Sequence, residues 1–326
     1  MKSPMTLYNR RETRSSVYPR EINLETTNFC NLRCISCPQR GEMSRKKGFM
    51  EFNLFKKIID QASGNVRNIQ LHLFGEPLLH PDIVKQLKYA HEKKVNLGIF
   101  TNAALLTDEK AEALAEYADR VVISFNGATK KVYESIQVGS NFETTMSKIK
   151  KFLEIVNKKG KCLVKLKFLQ MKENEREAKD FVSQWEKYKS KKVNVSVVKE
   201  HDWAGQLENL PEWQEQKRER YPCFLLWKMM AIGWDGRVGV CCYDFNFPII
   251  LGDLNKQTIK EVWNSEKYKK IREMQINRQF DKLSLCKNCT SWTLYPKKFS
   301  KSYILKSSLY SSFYKLLNKF GKYSVK

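Results

Sequence analysis

Three thiols fall within eight residues, in the stretch Cys30-Asn31-Leu32-Arg33-Cys34-Ile35-Ser36-Cys37. Thiolates hold soft metals, and three on one short loop suit a 4Fe-4S cube, each taking one corner iron while the fourth corner stays open. The missing ligand is the informative part. An iron without a protein ligand accepts an amine and a carboxylate from a small molecule and passes an electron into it, whereas a cluster that only transfers electrons takes four cysteines. A structural zinc is the other use of such a loop. It would want a fourth Cys or His close by, and His72, His80, His91 and His201 have no ligand-like spacing to the loop.

Five of the nine cysteines lie further on: Cys223, Cys241, Cys242, Cys286 and Cys289. Asp235-Gly236 is a two-residue hairpin signal that puts Cys241 on the returning strand. Residues 259–276 carry Val262, Trp263, Tyr268 and Ile271 at helical spacing, and a C-x2-C knuckle follows. A hairpin, a helix and a knuckle are too small for a core of their own, and four thiolates would staple them. Zinc is a real alternative at this site, because C-x2-C knuckles are common zinc ligands. Cys162, at the start of a strand, reads as a small core residue.

The elements that must position these groups alternate along the chain. Residues 50–63, 82–94, 108–117, 142–158 and 174–189 read as amphipathic helices. Residues 22–24, 66–74, 95–101, 120–125, 162–169 and 193–198 read as strands. Six strands separated by helices give an α/β fold with a parallel sheet and right-handed crossovers.

At 326 residues the chain is long enough for about two domains, one with a sizeable core. Its first twenty residues are polar and basic with no apolar run, so a cytoplasmic location is expected. In that reducing compartment cysteines serve as ligands or free thiols rather than disulfides. The formal net charge of +24 favours anionic partners, although lysines scattered for solubility give the same sum. No aromatic-rich basic stripe or nucleic-acid motif accompanies it, so nucleic acid is not the expected partner. Residues 297–326 hold eight lysines and no acid, with Leu305, Leu309, Phe313, Leu316 and Phe320 on one stripe. That is a basic amphipathic helix, suited to peripheral contact with an anionic membrane, to an acidic partner, or to packing on the body of the protein.

The spacing C-x3-C-x2-C after a first strand resembles the signature of the radical S-adenosylmethionine (SAM) superfamily. The resemblance implies a partial (β/α)6 TIM-like barrel with its site at the C-terminal strand edges. It implies a cluster whose open iron binds SAM, and reductive cleavage of SAM to methionine and a 5'-deoxyadenosyl radical that takes a hydrogen atom from the substrate. It also implies a reducing partner such as flavodoxin or ferredoxin. Gly75, Glu76 and Pro77 resemble the family's GGEP element, with Phe74 at the first glycine, and the motif's backbone and Glu76 would face the SAM amino group. Asn102 ends the third strand as in a frequent Thr-Asn-Gly element, and Ser124 and Asn126 end the fourth as polar SAM contacts. Gln137 stands near the position of an arginine that often pairs with the SAM carboxylate. Ser36 stands where a bulkier residue often packs near the adenine. Asn174 matches another frequent family position and equally fits a helix N-cap. His201 and Trp203 follow the sixth strand, where substrates often sit, and read as a surface histidine and a packing tryptophan.

The second cysteine group, with its "WDGRVGVCCYD", "LGDL" and "EVWNS" stretches, resembles the SPASM/twitch extension. This implies a small C-terminal hairpin-helix iron-sulfur module with one auxiliary 4Fe-4S cluster on Cys223, Cys241, Cys286 and Cys289, Cys241 having the family spacing from Gly236. Cys242 is then either a hydrogen donor to a substrate radical or a packing residue, and Asp244 a candidate general base. The expected divisions are a polar N-terminal extension (1–20), the core barrel (21–207), a linker (208–221), the auxiliary module (222–296) and the basic tail (297–326). Similar enzymes oxidise or epimerise sugars and aminocyclitols, or mature peptides. The segment before the cysteine loop is short for a peptide leader-binding domain, which favours the small molecule. The reading from another class is a metal-binding scaffold with a basic, anion-binding surface.

Overall fold

The computed structural model describes residues 3–14, 18–200, 203–206 and 219–305. His201, most of the expected linker, and Leu309, Phe313, Leu316 and Phe320 of the tail stripe lie outside them. Leu305 is described and exposed.

The described strands form one sheet in the order β6-β5-β4-β3-β2-β1-β7-β8-β9. These are β1 Glu21–Leu24, β2 Asn68–Leu71, β3 Leu97–Thr101, β4 Arg120–Ser124, β5 Leu163–Gln170, β6 Val193–Lys199, β7 Met229–Ile232, β8 Arg237–Gly239 and β9 Gly252–Asp253. The first seven pair in parallel, and β8 and β9 run antiparallel at the edge. Between them lie α1 Pro4–Asn9, α2 Phe52–Ala62, α3 Ile83–Glu92, α4 Asp108–Tyr117, α5 Lys130–Ile136, α6 Phe142–Lys158 and α7 Ala178–Trp185, then α8 Leu225–Lys228, α9 Ile259–Trp263, α10 Glu266–Ile276 and α11 Ser284–Lys287. Ile22, Leu24, Ile69, Leu71, Val121 and Ile123 belong to one core with the helices. Because side chains alternate along a strand, the residues between them line the opposite, concave face of the partial barrel.

Two features depart from the sequence reading. The hairpin assigned to a separate module begins with β7, which pairs in parallel with β1 from Glu21↔Met229 to Leu24↔Ile232. The module therefore extends the barrel sheet, and Val238, Ile259 and Trp263 bury in the same core as Ile22. The returning strand β8 stops at Gly239, two residues short of Cys241.

The other is the N-terminal extension, whose described part is not a loose polar segment. Ser3 caps α1 by accepting from Thr6 N at 3.2 Å, Pro4 starts it, and Met5, Leu7 and Tyr8 are buried. The Tyr8 ring packs edge-on to Phe224 and Trp227, at 5.2 and 5.4 Å between centroids, and its hydroxyl donates to Pro222 O at 2.9 Å. A six-residue helix is too short to show a periodic stripe, so only its docking reveals it.

Candidate active site

The first cysteine loop leaves the C-terminal end of β1 and is fastened before it reaches the thiols. Thr27 Oγ1 donates to Gly48 O at 2.8 Å, and Asn28 Oδ1 accepts from Gly48 N at 2.9 Å. Leu32 N points at Cys30 Sγ at 3.5 Å, a backbone donor for a sulfur ligand. Cys30, Cys34 and Cys37 are free and partly buried. Burial pushes the Cys30 thiol up to about 12 and raises Cys34 and Cys37 as well, and ionisation of one thiol opposes that of its neighbours. Such thiols become good ligands only where a multiply charged metal group relieves the repulsion. A single zinc draws every thiolate to about 2.3 Å, whereas a cube takes its ligands on separate corners. The donor set of this loop fits the cube.

Gly75 brings the end of β2 against this loop. Its φ is +97°, and a Cβ there would lie 2.3 Å from Thr27 O, so only glycine allows the approach. The next amide, Glu76 N, donates to Phe29 O at 2.8 Å. Pro77 opens the turn Pro77–Leu79. The Glu76 carboxylate is buried and accepts from Leu78 N at 3.1 Å, Thr101 Oγ1 at 2.7 Å and Asn102 N at 2.8 Å. Burial raises its pKa and these donors oppose the rise. Glu76 therefore ties β2 to β3 through both oxygens. Asn102 continues the chain of contacts, with Nδ2 donating to Asn31 Oδ1 inside the cysteine loop at 3.1 Å.

At the next strand end Ser124 is half-buried on the concave face. Asn126 is buried and held by three bonds: its N donates to Gln137 Oε1 at 2.8 Å, its Oδ1 accepts from Leu169 N at 3.0 Å and its O accepts from Asn174 Nδ2 at 3.0 Å. Asn174 stands at the N-cap position of the turn Glu175–Glu177 without a side-chain capping bond, and its amide instead bridges the ends of β4 and β5. Gln137 is likewise a strut within this network.

Cys223, Cys241, Cys286 and Cys289 line a single open-sided cavity with Arg220, Tyr243 and Gln275. Burial, with repulsion from the neighbouring thiols, raises Cys223 and pushes Cys286 up to about 12, and a hydrogen bond with Cys242 together with burial raises Cys241. Gln275 Oε1 accepts from Cys223 N at 3.0 Å, and Arg220 holds the knuckle through Lys287 O at 3.0 Å. Arg220 Nε is buried with no hydrogen-bond partner among the described residues, and the buried Gln275 amide faces the Cys286 thiol. Four thiols and two N–H donors around one cavity fit a sulfur-rich, negatively charged group.

Between the two cysteine groups lies a small apolar cluster of Leu73, Phe74, Ala231, Phe245 and Phe247, against which Cys242 and Trp203 pack. Trp203 Nε1 donates to Ser36 O at 2.7 Å, and its ring lies 5.4 Å from Phe74 and 6.4 Å from Tyr243. Cys242 packs on this cluster and Cys241 lines the cavity, with the two thiols close enough to share a hydrogen bond. Asp244 is wholly buried, and its Oδ1 accepts from Phe247 N at 2.8 Å. Desolvation raises its pKa to about 6, and its other oxygen, Oδ2, is buried with no hydrogen-bond partner among the described residues.

Sequence reasoning missed Glu25 and Arg45, the latter grouped with Lys46 and Lys47 as a basic connector. Arg45 is buried, pairs with Glu25, donates from Nε to Phe245 O at 2.7 Å and lies 4.3 Å over the Phe247 ring. The local signal was an acid directly after the alternating strand β1.

Comparison with known proteins agrees with this geometry. The radical SAM superfamily model matches residues 24–183, and that of an iron-sulfur cluster-binding domain, SPASM, matches residues 223–290. The S-adenosyl-L-methionine-dependent 2-deoxy-scyllo-inosamine dehydrogenase of Niallia circulans is 22% identical over 83% of this chain and 92% of its own. The tungsten-containing aldehyde ferredoxin oxidoreductase cofactor-modifying protein of Pyrococcus furiosus is 26% identical over 81% of this chain and 86% of its own. The structure of Streptococcus suis SuiB bound to precursor peptide SuiA shares the fold, with a TM-score of 0.66 at 18% identity over 92% of this chain and 79% of that one. The chain belongs to the radical SAM superfamily, is an oxidoreductase that uses SAM with a SAM-binding and an auxiliary iron-sulfur cluster, and carries a C-terminal SPASM domain.

Proposed function

We propose that this enzyme dehydrogenates a small polyhydroxylated molecule of the sugar or aminocyclitol class. The observation that carries the reading is the continuity of the sheet. The strand that opens the four-cysteine module is hydrogen-bonded to the strand that feeds the three-cysteine loop, so both groups are fixed on one frame, as an oxidation needing two one-electron sites requires. The similarity to a 2-deoxy-scyllo-inosamine dehydrogenase along nearly its whole length supports the substrate class.

When bound, SAM and the two clusters supply hydrogen-atom abstraction and one-electron transfer. Cys30, Cys34 and Cys37 would hold the SAM-binding cluster, and Cys223, Cys241, Cys286 and Cys289 the auxiliary one. Gly75 and Pro77 shape the backbone that faces SAM, Glu76 and Asn102 hold that backbone against the loop, and Ser124 offers a hydroxyl beside it. Asn126 acts with Gln137 and Asn174 as a positioning residue. Dehydrogenation returns no hydrogen to the substrate, so Cys242 packs rather than donates. A low-potential donor such as flavodoxin or ferredoxin would supply electrons from outside. No described helix is long and apolar enough to cross a membrane.

The test is anaerobic reconstitution, iron and sulfide analysis, and reduction in the presence of SAM. About eight irons per chain, release of 5'-deoxyadenosine, and oxidation of an aminocyclitol or sugar from a panel are expected. Zinc without SAM cleavage overturns the enzyme, and conversion of a peptide in place of the panel overturns the substrate class.

A further inference from the structure

Arg45, Lys269 and Arg272 are the buried cations among the described residues. Arg45 pairs with Glu25 and Lys269 with Glu266. Arg272 has no exposed surface, and among the described residues no carboxylate pairs with it. Its guanidinium donates only to carbonyls, from Nε to Leu226 O at 3.0 Å, from Nη1 to Thr13 O at 2.9 Å and from Nη2 to Trp263 O at 3.2 Å. It lies 4.4 Å from the centre of the Trp263 ring and 4.9 Å from that of Tyr268. Desolvation pushes its pKa down to about 10. Carbonyls and ring faces satisfy the N–H groups and leave the charge itself unmatched.

The helix that carries Arg272 shows where the matching charge belongs. Tyr268, Arg272 and Gln275 share one buried face of α10, at steps of four and three. Gln275 lines the four-cysteine cavity, and Leu226, whose carbonyl takes the Arg272 Nε, lines it too. Burial raises the Tyr268 phenol, Arg272 opposes the rise and Cys241 adds to it, so this ring is within electrostatic reach of both the guanidinium and a thiol of the cavity. Its hydroxyl is buried with no hydrogen-bond partner among the described residues. The guanidinium therefore stands behind Leu226 and Tyr268 at the cavity wall, in an interior where charges act on one another with little screening.

We propose that Arg272 is the buried counter-charge of the auxiliary cluster, a positioning residue that holds up the cluster's reduction potential from behind its ligands. A cluster on four thiolates is anionic, and its net charge helps to set its potential. A fixed cation close by favours the more negative, reduced state and suits the cluster to accept electrons. The inference rests on the assignment of Cys223, Cys241, Cys286 and Cys289 to that cluster and not on the identity of the substrate.

The test compares anaerobically reconstituted full-length wild type, Arg272→Gln and Arg272→Lys by iron content and by EPR-monitored redox titration of both clusters. Lysine keeps the charge and loses the fork of carbonyl bonds, whereas glutamine loses the charge. Arg272→Gln should lower the auxiliary midpoint by about a tenfold change in the ratio of reduced to oxidised cluster, or about 59 mV, with the SAM-binding cluster unmoved. Arg272→Lys should keep that ratio within about threefold of wild type, even though both variants lose stability. Loss of about four irons in Arg272→Gln with retention in Arg272→Lys also supports the counter-charge. A ratio changed by less than about threefold in Arg272→Gln, an equal shift in both variants, or equal iron loss in both overturns it and leaves Arg272 a purely structural residue. Wild type that holds only about four irons overturns the auxiliary cluster, and the inference with it.

Discussion

Arg45 closes a two-pronged ion pair on Glu25, with Nη1 2.9 Å from Oε2 and Nη2 2.6 Å from Oε1, both side chains being almost fully buried. Glu25 follows β1 directly, and Arg45 also holds the loop after Cys242 through Phe245 O. One guanidinium therefore binds the entrance of the SAM-cluster loop to the auxiliary module. Removing it strands a buried carboxylate. Arg45→Met is expected to cost about 3–5 kcal/mol of stability, read as a lower denaturant midpoint of the reconstituted protein. Adding Glu25→Gln should return part of that loss. Equal loss in single and double variants would contradict the pairing.

Gly75→Ala meets backbone, not a movable side chain, at 2.3 Å and takes a left-handed conformation that costs about 1–3 kcal/mol by itself. The strand end must retreat from the cysteine loop. SAM affinity should fall at least about tenfold, measured by dialysis, while Gly64→Ala, also at positive φ but with open space around it, leaves SAM affinity unchanged.

Cys241 lines the auxiliary cavity and Cys242 does not. Cys241→Ala should lower iron content by about four per chain, whereas Cys242→Ala should keep it. If turnover disappears in Cys242→Ala with SAM cleavage intact, a hydrogen-returning reaction replaces dehydrogenation as the proposal.

Gln275 Nε2 is a buried N–H donor that faces the Cys286 thiol in the four-cysteine cavity. Hydrogen bonds to cluster sulfur raise the reduction potential. Gln275→Leu should shift the auxiliary cluster downward, on the order of tens of millivolts, in an EPR-monitored titration, with the SAM-binding cluster unmoved.

Burial lowers the pKa of Lys167, and the like-charged Lys165 lowers it further. In the unfolded chain the amine keeps its proton up to about 10.4, so between the lowered folded pKa and that value the unfolded state binds more protons, and stability rises with pH. Lys167→Met should remove this rise, seen by comparing denaturant midpoints of the two proteins along an alkaline series.

Much of the site was readable because its signals are local. Cys30, Cys34 and Cys37 sit within one loop, Gly75-Glu76-Pro77 is contiguous, and the alternation of apolar residues gives six of the parallel strands. What escaped depends on contacts between distant residues. β7 reads as half of a hairpin because nothing in Met229–Ile232 announces β1 as its other neighbour. Arg45 looks like any surface cation until Glu25 is placed against it. Glu76 reads as facing the SAM amino group, and only the position of Thr101 and Asn102 shows how fully its carboxylate is engaged.

The pairing of Glu21 with Met229 has a consequence for biosynthesis. A ribosome delivers β1 early and its second neighbour some two hundred residues later, so the nascent barrel carries an open edge beside its first three cysteines for most of translation. Delivery of iron and sulfide to that loop can begin while the edge is bare, and arrival of the final strands then seals the loaded loop inside the finished enzyme.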